Sequence, residues 1–306
     1  MRFRIALFSL LAVLLVPAGA AASPSAGEPE RAAAGFWTPE RMREAIPMPL
    51  PRNGATDLEP AVAAGQAGAA RRGGIRAEQI PNPSARSVRM HGKAFFQMGG
   101  TSYVCSGTVV GSKTKSTVWT AGHCVEKGRN GGFARRWIFV PAYADGQAPF
   151  GQWTARKLAT TPGWGRSGDL SYDIGAAKVG KRDGKPIAAV VGDRGIRFRS
   201  NPPKRITAYG YPSRPNTGTG QAFDGERGRR CDTRRSGRQQ AGLGPKTIQI
   251  GCDMTAGASG GGWLSPGGKL VSVTSYTLGR EGTASRSLFG PQMGSVARRL
   301  FKTISR

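Results

Sequence analysis

From about Ile80 to near the carboxyl end, the chain is a succession of short β-branched and aromatic runs, each cut off by Gly, Pro or Asn. Runs of this length and composition read as strands. They predict strands at residues 93–98, 106–110, 117–121, 136–140, 174–179, 205–209, 247–251, 262–264 and 270–276. Many short strands at such spacing point to an all-β sandwich or barrel. The last segment departs from this texture: Met293, Val296, Ala297, Leu300, Phe301 and Ile304 recur at helical spacing, so an amphipathic helix closes the chain after Gly290 and Pro291. No internal repeat is evident.

Upstream, residues 23–76 are rich in Ala, Gly, Pro and Arg and lack period-two alternation, so they read as a propeptide or flexible segment rather than part of a packed domain. One short helix is expected within it, with Thr38 as N-cap, Pro39 in the first helical position and Pro47 as the stop. The basic, Gly-rich residues 71–76 have the character of a proteolytic processing site. At the start, Met1 to Arg4 is basic, Ile5 to Val16 is apolar and Ala18 to Ala22 is small, which is the pattern of a secretory signal peptide over residues 1–22. The apolar run is shorter than the roughly 20 residues a membrane span needs, and none later approaches it. A secreted chain without a membrane span is the expectation.

The 306 residues carry a formal net charge of +27, with arginine far ahead of lysine. Such a surface favours nonspecific contact with polyanions. Against this, Arg, Ala, Gly and Pro are abundant together, as in GC-rich coding, and no basic stretch interleaved with aromatics marks a nucleic-acid module. The densest patch, residues 227–238, reads as an exposed loop.

Histidine is scarce: the chain holds His91 and His123 alone. His123 lies in Thr120-Ala121-Gly122-His123-Cys124, and far downstream Ser259 lies in Gly257-Ala258-Ser259-Gly260-Gly261. A serine hydroxyl is a poor nucleophile at neutral pH unless a base stands beside it and a third group orients that base. The glycine-flanked serine also fits the nucleophile elbow of α/β-hydrolases, but that architecture takes its histidine from after the serine, and none follows position 123. The order histidine, aspartate, serine is one of the other solutions to the same geometry. No His and Cys spacing resembles a zinc site, so no metal and no cofactor is expected.

Four segments together, Cys105-Ser106-Gly107-Thr108, the His123 segment, Tyr172-Asp173-Ile174-Gly175-Ala176 and the Ser259 segment, resemble in order the signatures of the trypsin/chymotrypsin superfamily, and most of all its secreted bacterial, glutamyl endopeptidase-like branch. The resemblance covers roughly residues 80–306. It implies two packed antiparallel β-barrels, over residues 77–180 and 181–306, with a cleft between them, and a monomeric serine endopeptidase acting on protein or peptide substrates. It implies His123 as base, Asp173 as its orienting carboxylate and Ser259 as nucleophile, with the N–H groups of Gly257 and Ser259 as oxyanion hole. Asp169 is the rival carboxylate, but Asp173 directly precedes the apolar strand of residues 174–179. Four cysteines allow three pairings. Cys105 with Cys124 across the histidine loop, and Cys231 with Cys252, is the expected set.

The chain also departs from that pattern. Where trypsins carry an aspartate immediately before the nucleophile, this chain has Ala258, so activation through that residue cannot operate. Asp253, six residues before Ser259, falls where trypsins hold the carboxylate of the specificity pocket, which with Thr274 and Ser275 predicts a pocket for Arg or Lys. Glutamate-specific relatives place a histidine in the strand after the nucleophile, and residues 270–276 contain none. The alternative to an endopeptidase is a catalytically weak homologue that binds anionic polymers or one narrow protein target.

Overall fold

The computed structural model describes residue 33 and residues 35–49, 76–199, 201–278 and 286–306 of the chain; the signal-peptide and processing-site readings fall largely outside these residues. A short helix α1 (Pro39–Glu44) and the two-residue strands β1 (Ile46–Pro47) and β2 (Glu78–Gln79) precede the barrels. The first barrel is β3 (His91–Met98), β4 (Thr101–Val110), β5 (Thr117–Thr120), β6 (Arg135–Pro141), β7 (Trp153–Thr160) and β8 (Gly175–Val179). Their spatial order β4-β3-β6-β7-β8-β5 closes on itself because β5 also pairs with β4. Helix α2 (Pro162–Ser167) lies between β7 and β8, and α3 (Ile187–Val191) interrupts the path to the second barrel. That barrel comprises β9 (Arg205–Gly210), β10 (Arg229–Gln239), β11 (Thr247–Gly251), β12 (Gly262–Leu264), β13 (Leu270–Val273) and β14 (Ser287–Gly290). Its order is β13-β12-β9-β10-β11-β14, and a bridge between Tyr276 and Phe289 brings the chain beyond β13 back to β14. Helix α4 (Ser295–Ile304) then packs on β7 and β8 through Ala297, Leu300 and Ile304. This is the expected all-β architecture of two antiparallel β-barrels with a C-terminal helix.

Two expectations fail for identifiable reasons. The patch at 227–238 is not a loop but the long strand β10, in which Cys231 and Thr233 point inward and Asp232, Arg234, Ser236 and Arg238 outward. The alternation is present, but its buried positions are a disulfide cysteine and a threonine rather than large hydrophobics. The N-terminal segment is also not a free linker where it is described. Thr38 caps α1 as expected, and beyond it β1 adds in parallel to β4. Trp37 is 2% exposed, packs against Phe95 and donates its indole N–H to the Arg136 carbonyl. Side chains alternate across a strand, so with Ala94 and Phe96 in the barrel core, Phe95 faces outward. Trp37, Met42, Ala45 and Tyr211 cover that outer face together with Val104, Ile138, Val140 and Tyr143. The continuous apolar run of β3 therefore reports a strand buried on both sides.

The seam between the barrels holds two buried basic side chains. His91 stacks on Tyr209 with ring centroids 3.9 Å apart and shares a 2.9 Å hydrogen bond between Nδ1 and the Thr108 hydroxyl. Burial, reinforced by the Arg194 charge, drives its pKa from 6.5 down to about 3, so it is neutral and is not a solvent-reachable base. Lys93, 3% exposed, lies 3.6 Å from Glu226 of the second barrel and 4.5 Å above the Tyr143 ring. Burial pulls its pKa down to about 8 despite the attraction of Glu226.

His91 predicts an acid limb in the stability. Its folded pKa of about 3 lies below the ordinary 6.5, so between these values the unfolded chain binds the extra proton and stability falls as pH drops. The slope from this one group approaches about 1.4 kcal/mol per pH unit. Thermal unfolding of wild type and His91→Gln from pH 7 to pH 4 is expected to show a flatter dependence in the variant; parallel curves would remove His91 as the cause.

Candidate active site

His123 sits in a single 3-10 turn, Gly122–Cys124, directly after β5. The Cys105–Cys124 disulfide ties this turn to β4, and Cys231–Cys252 ties β10 to the end of β11, which is the expected pairing. Asp173 follows a second 3-10 turn, Leu170–Tyr172, and is fully buried. One of its oxygens accepts the His123 backbone N–H at 2.8 Å; the other lies 2.8 Å from His123 Nδ1 and accepts the Ser275 hydroxyl at 2.6 Å. A buried carboxylate needs such donors to remain ionised, and its bond to Nδ1 fixes which imidazole nitrogen carries the proton. Gly122 makes the approach possible: a Cβ there would stand 2.6 Å from the Trp164 ring and 2.8 Å from Asp173 Oδ1. Trp164 also lies edge-on to the imidazole, its centroid 6.0 Å away, and is anchored by its indole N–H on the Glu126 carbonyl.

Asp169 is engaged elsewhere. Its carboxylate caps the turn at Ser171 and accepts the backbone N–H groups of Leu243 and Gly244, so it stitches two loops together.

Ser259 lies in the tight connection between β11 and β12, fully buried. Its carbonyl accepts the N–H of Ser106 at 2.7 Å, and Gly260 behind it abuts the histidine segment: a Cβ there would stand 1.9 Å from Thr120 Oγ1 and 2.9 Å from the Ala121 nitrogen. Gly257 and Gly260 hold φ of +97° and +78°, conformations that glycine adopts freely. Ser259 Oγ and His123 Nε2 are both buried and have no hydrogen-bond partner among the described residues. Nor do the N–H groups of Gly257 and Ser259 donate to an acceptor among them.

Asp253, Thr274 and Ser275, the residues expected at the specificity pocket, are all buried, and Asp253 Oδ2 has no hydrogen-bond partner among the described residues. Asp253 is 1% exposed, its Oδ1 accepts the Ala77 N–H at 2.7 Å and its carbonyl accepts the Asn216 amide. Thr274 is buried, with its hydroxyl accepting the Trp263 indole N–H. The Ser275 hydroxyl donates to Asp173. Periodicity cannot show the partners of Asp253 and Ser275, because those contacts join segments far apart in sequence. Among the described residues, Cys105, His123 and Cys124 form the one cluster with metal-ligand proximity, and both its cysteines are spent in the disulfide. That cluster does not fit a metal.

Two antiparallel β-barrels of this topology with a C-terminal helix define the chymotrypsin-like class of domain. The chain belongs to the trypsin-like peptidase domain family, whose model matches residues 105–273. It is 32% identical over 117 residues to a glutamyl endopeptidase of Bacillus licheniformis, a match covering 38% of this chain and about a third, 34%, of that protein. Among solved structures, the protease Anisep from Arthrobacter nicotinovorans is 35% identical with a TM-score of 0.63, covering 74% of this chain and 98% of that one. A thermostable serine protease, AL20, from an extremophilic microorganism is 32% identical with a TM-score of 0.64, covering 72% and 99%.

The crowding at Gly122 yields a prediction independent of activity. Gly122→Ala forces Trp164 or Asp173 aside and is expected to cost about 1–3 kcal/mol, as overpacking does. Urea denaturation of the variant beside wild type measures it; an unchanged midpoint would mean the neighbours yield freely.

Proposed function

We infer that the chain is a secreted serine endopeptidase that cleaves peptide bonds through His123, Asp173 and Ser259 and an acyl-enzyme intermediate. The observation that carries this reading is the buried Asp173 carboxylate held on His123 Nδ1, which leaves Nε2 as the free nitrogen; Nε2 and the Ser259 hydroxyl are both buried and without a hydrogen-bond partner among the described residues. Nε2 takes the hydroxyl proton as Oγ bonds to the scissile carbonyl carbon, and Asp173 stabilises the imidazolium. The carbonyl oxygen becomes an oxyanion, received by the N–H groups of Gly257 and Ser259. The intermediate collapses when the imidazolium returns the proton to the leaving amine, releasing the first product. Water then attacks the acyl carbon with His123 again as base, freeing the acid product and Ser259. Substrate backbone pairs along the strand after the nucleophile, within residues 270–276.

Removal of residues 1–22 on export and a cut at residues 71–76 complete the reading. Arg76 is exposed while Ala77 is buried with its nitrogen on Asp253, so a cut between them leaves the new terminus beside that carboxylate. Helix α1 and strand β1 lie upstream of this bond and would then be held by noncovalent contacts alone. Mass spectrometry of the secreted form is expected to find Ala77, or a residue a few positions before it, at the amino terminus. A terminus near Ser23 would overturn the cut.

Activity on a labelled, unstructured protein tests the mechanism. Ser259→Ala is expected to abolish cleavage, and Asp173→Asn to lower kcat by about 10⁴-fold through the wrong imidazole tautomer. Cleavage that survives Ser259→Ala would assign the chemistry to another residue.

A further inference from the structure

Every polar group of Ser106 is occupied, and its partners lie on both sides of the cleft. The residue is 1% exposed, on β4, next to the disulfide cysteine that reaches the His123 turn. Its N–H donates to the Ser259 carbonyl at 2.7 Å and its own carbonyl accepts the Thr120 hydroxyl at 2.8 Å. Its hydroxyl donates to the Gly257 carbonyl at 2.8 Å and accepts the Tyr211 N–H at 2.9 Å.

These contacts fall on the frame of the oxyanion hole. The two donor N–H groups belong to the rigid peptide units Ala256–Gly257 and Ala258–Ser259. Between them lies the unit Gly257–Ala258, and its carbonyl is the one that the Ser106 hydroxyl holds. Across the same unit, the Ala258 N–H donates to the Thr255 carbonyl at 3.1 Å. The unit carrying the first donor is gripped by Ser213, whose N–H reaches the Ala256 carbonyl at 2.8 Å. Ser213 is two residues from Tyr211, which the same Ser106 hydroxyl anchors. Gly257, at φ +97°, has no Cβ to restrict its own rotation, so these bonds must hold the angle between the donors.

We propose that Ser106 is a positioning residue of the oxyanion hole, its hydroxyl setting the relative orientation of the Gly257 and Ser259 amides through the Gly257 carbonyl and the Tyr211 amide. The first barrel thereby aligns a device built wholly from the second. This role rests on the endopeptidase reading and adds to it a residue that does not touch substrate.

The test compares wild type, Ser106→Ala and Ser106→Thr in turnover and in affinity for a peptide boronic acid, whose tetrahedral adduct on Ser259 places an oxygen in the hole. Losing one oxyanion donor outright costs about 10²–10³ in kcat, and misaligning donors costs less. Ser106→Ala is therefore expected to lower kcat about ten- to a hundredfold with KM nearly unchanged and to weaken the boronate in parallel, while Ser106→Thr retains most of both. In a Ser259→Ala background, where only ground-state binding is read, Ser106→Ala is expected to leave peptide affinity unchanged. Unaltered kcat in Ser106→Ala, or a loss matched by peptide affinity in that background, overturns the proposal. Should Ser106→Ala lack a cooperative thermal transition, Ser106→Gly supplies the same comparison. Failure of wild type itself to cleave defeats the endopeptidase reading rather than this one.

Discussion

The Asp173 carboxylate has no access to water, and it is held in that position by donors from both barrels. The His123 backbone and ring come from the turn after β5, and the Ser275 hydroxyl comes from the chain after β13. An unpaired carboxylate at such a place would be costly enough to shift its protonation or open the structure. The arrangement therefore constrains more than one side chain: it fixes the histidine turn against α2 and sets the distance at which the second barrel meets the first. Residues as remote in sequence as 123, 173 and 275 become one unit because one charge needs all of their donors.

Close packing around that charge explains the glycines better than flexibility does. Gly122 admits the Trp164 ring and Asp173, and Gly260 admits Thr120 and the Ala121 amide. At the second point backbone replaces side chain at the boundary between barrels. The hydrogen bonds of Ser106 to Ser259 and Gly257 occupy the same boundary. Chemistry of this kind depends on donors held to within a fraction of an ångström, and backbone anchored by buried hydrogen bonds supplies that rigidity.

The same seam tolerates basic groups only by suppressing or pairing their charge. His91 is neutral between Thr108 and Tyr209, and Lys93 is drawn toward Glu226 beneath aromatic rings. Among the described residues neither touches His123 or Ser259, yet both tie the first barrel to the second. In a chain of net charge +27, acidic side chains are few. Asp169 serves two loops, and Asp253 serves the Ala77 amide.

Local pattern sufficed for much of the architecture. Short β-branched and aromatic runs marked most strands, helical spacing marked α4, and Thr38 with Pro39 marked α1, because each signal is carried by neighbours in sequence. Having two histidines, with the motif around one of them, narrowed the base to His123. Strand β10 escaped because its inward positions are Cys231 and Thr233, and the outer cover of β3 escaped because Trp37 reaches Phe95 from more than fifty residues away. The partners of Asp253 and Ser275 also needed three dimensions: the fold sets Asp253 against the Ala77 amide and Ser275 against Asp173. The sequence by itself thus determined most of the elements and which residue types are available for chemistry. Only the tertiary structure decided which carboxylate meets which donor, since burial and hydrogen-bond partners are set by segments the chain brings together from far apart.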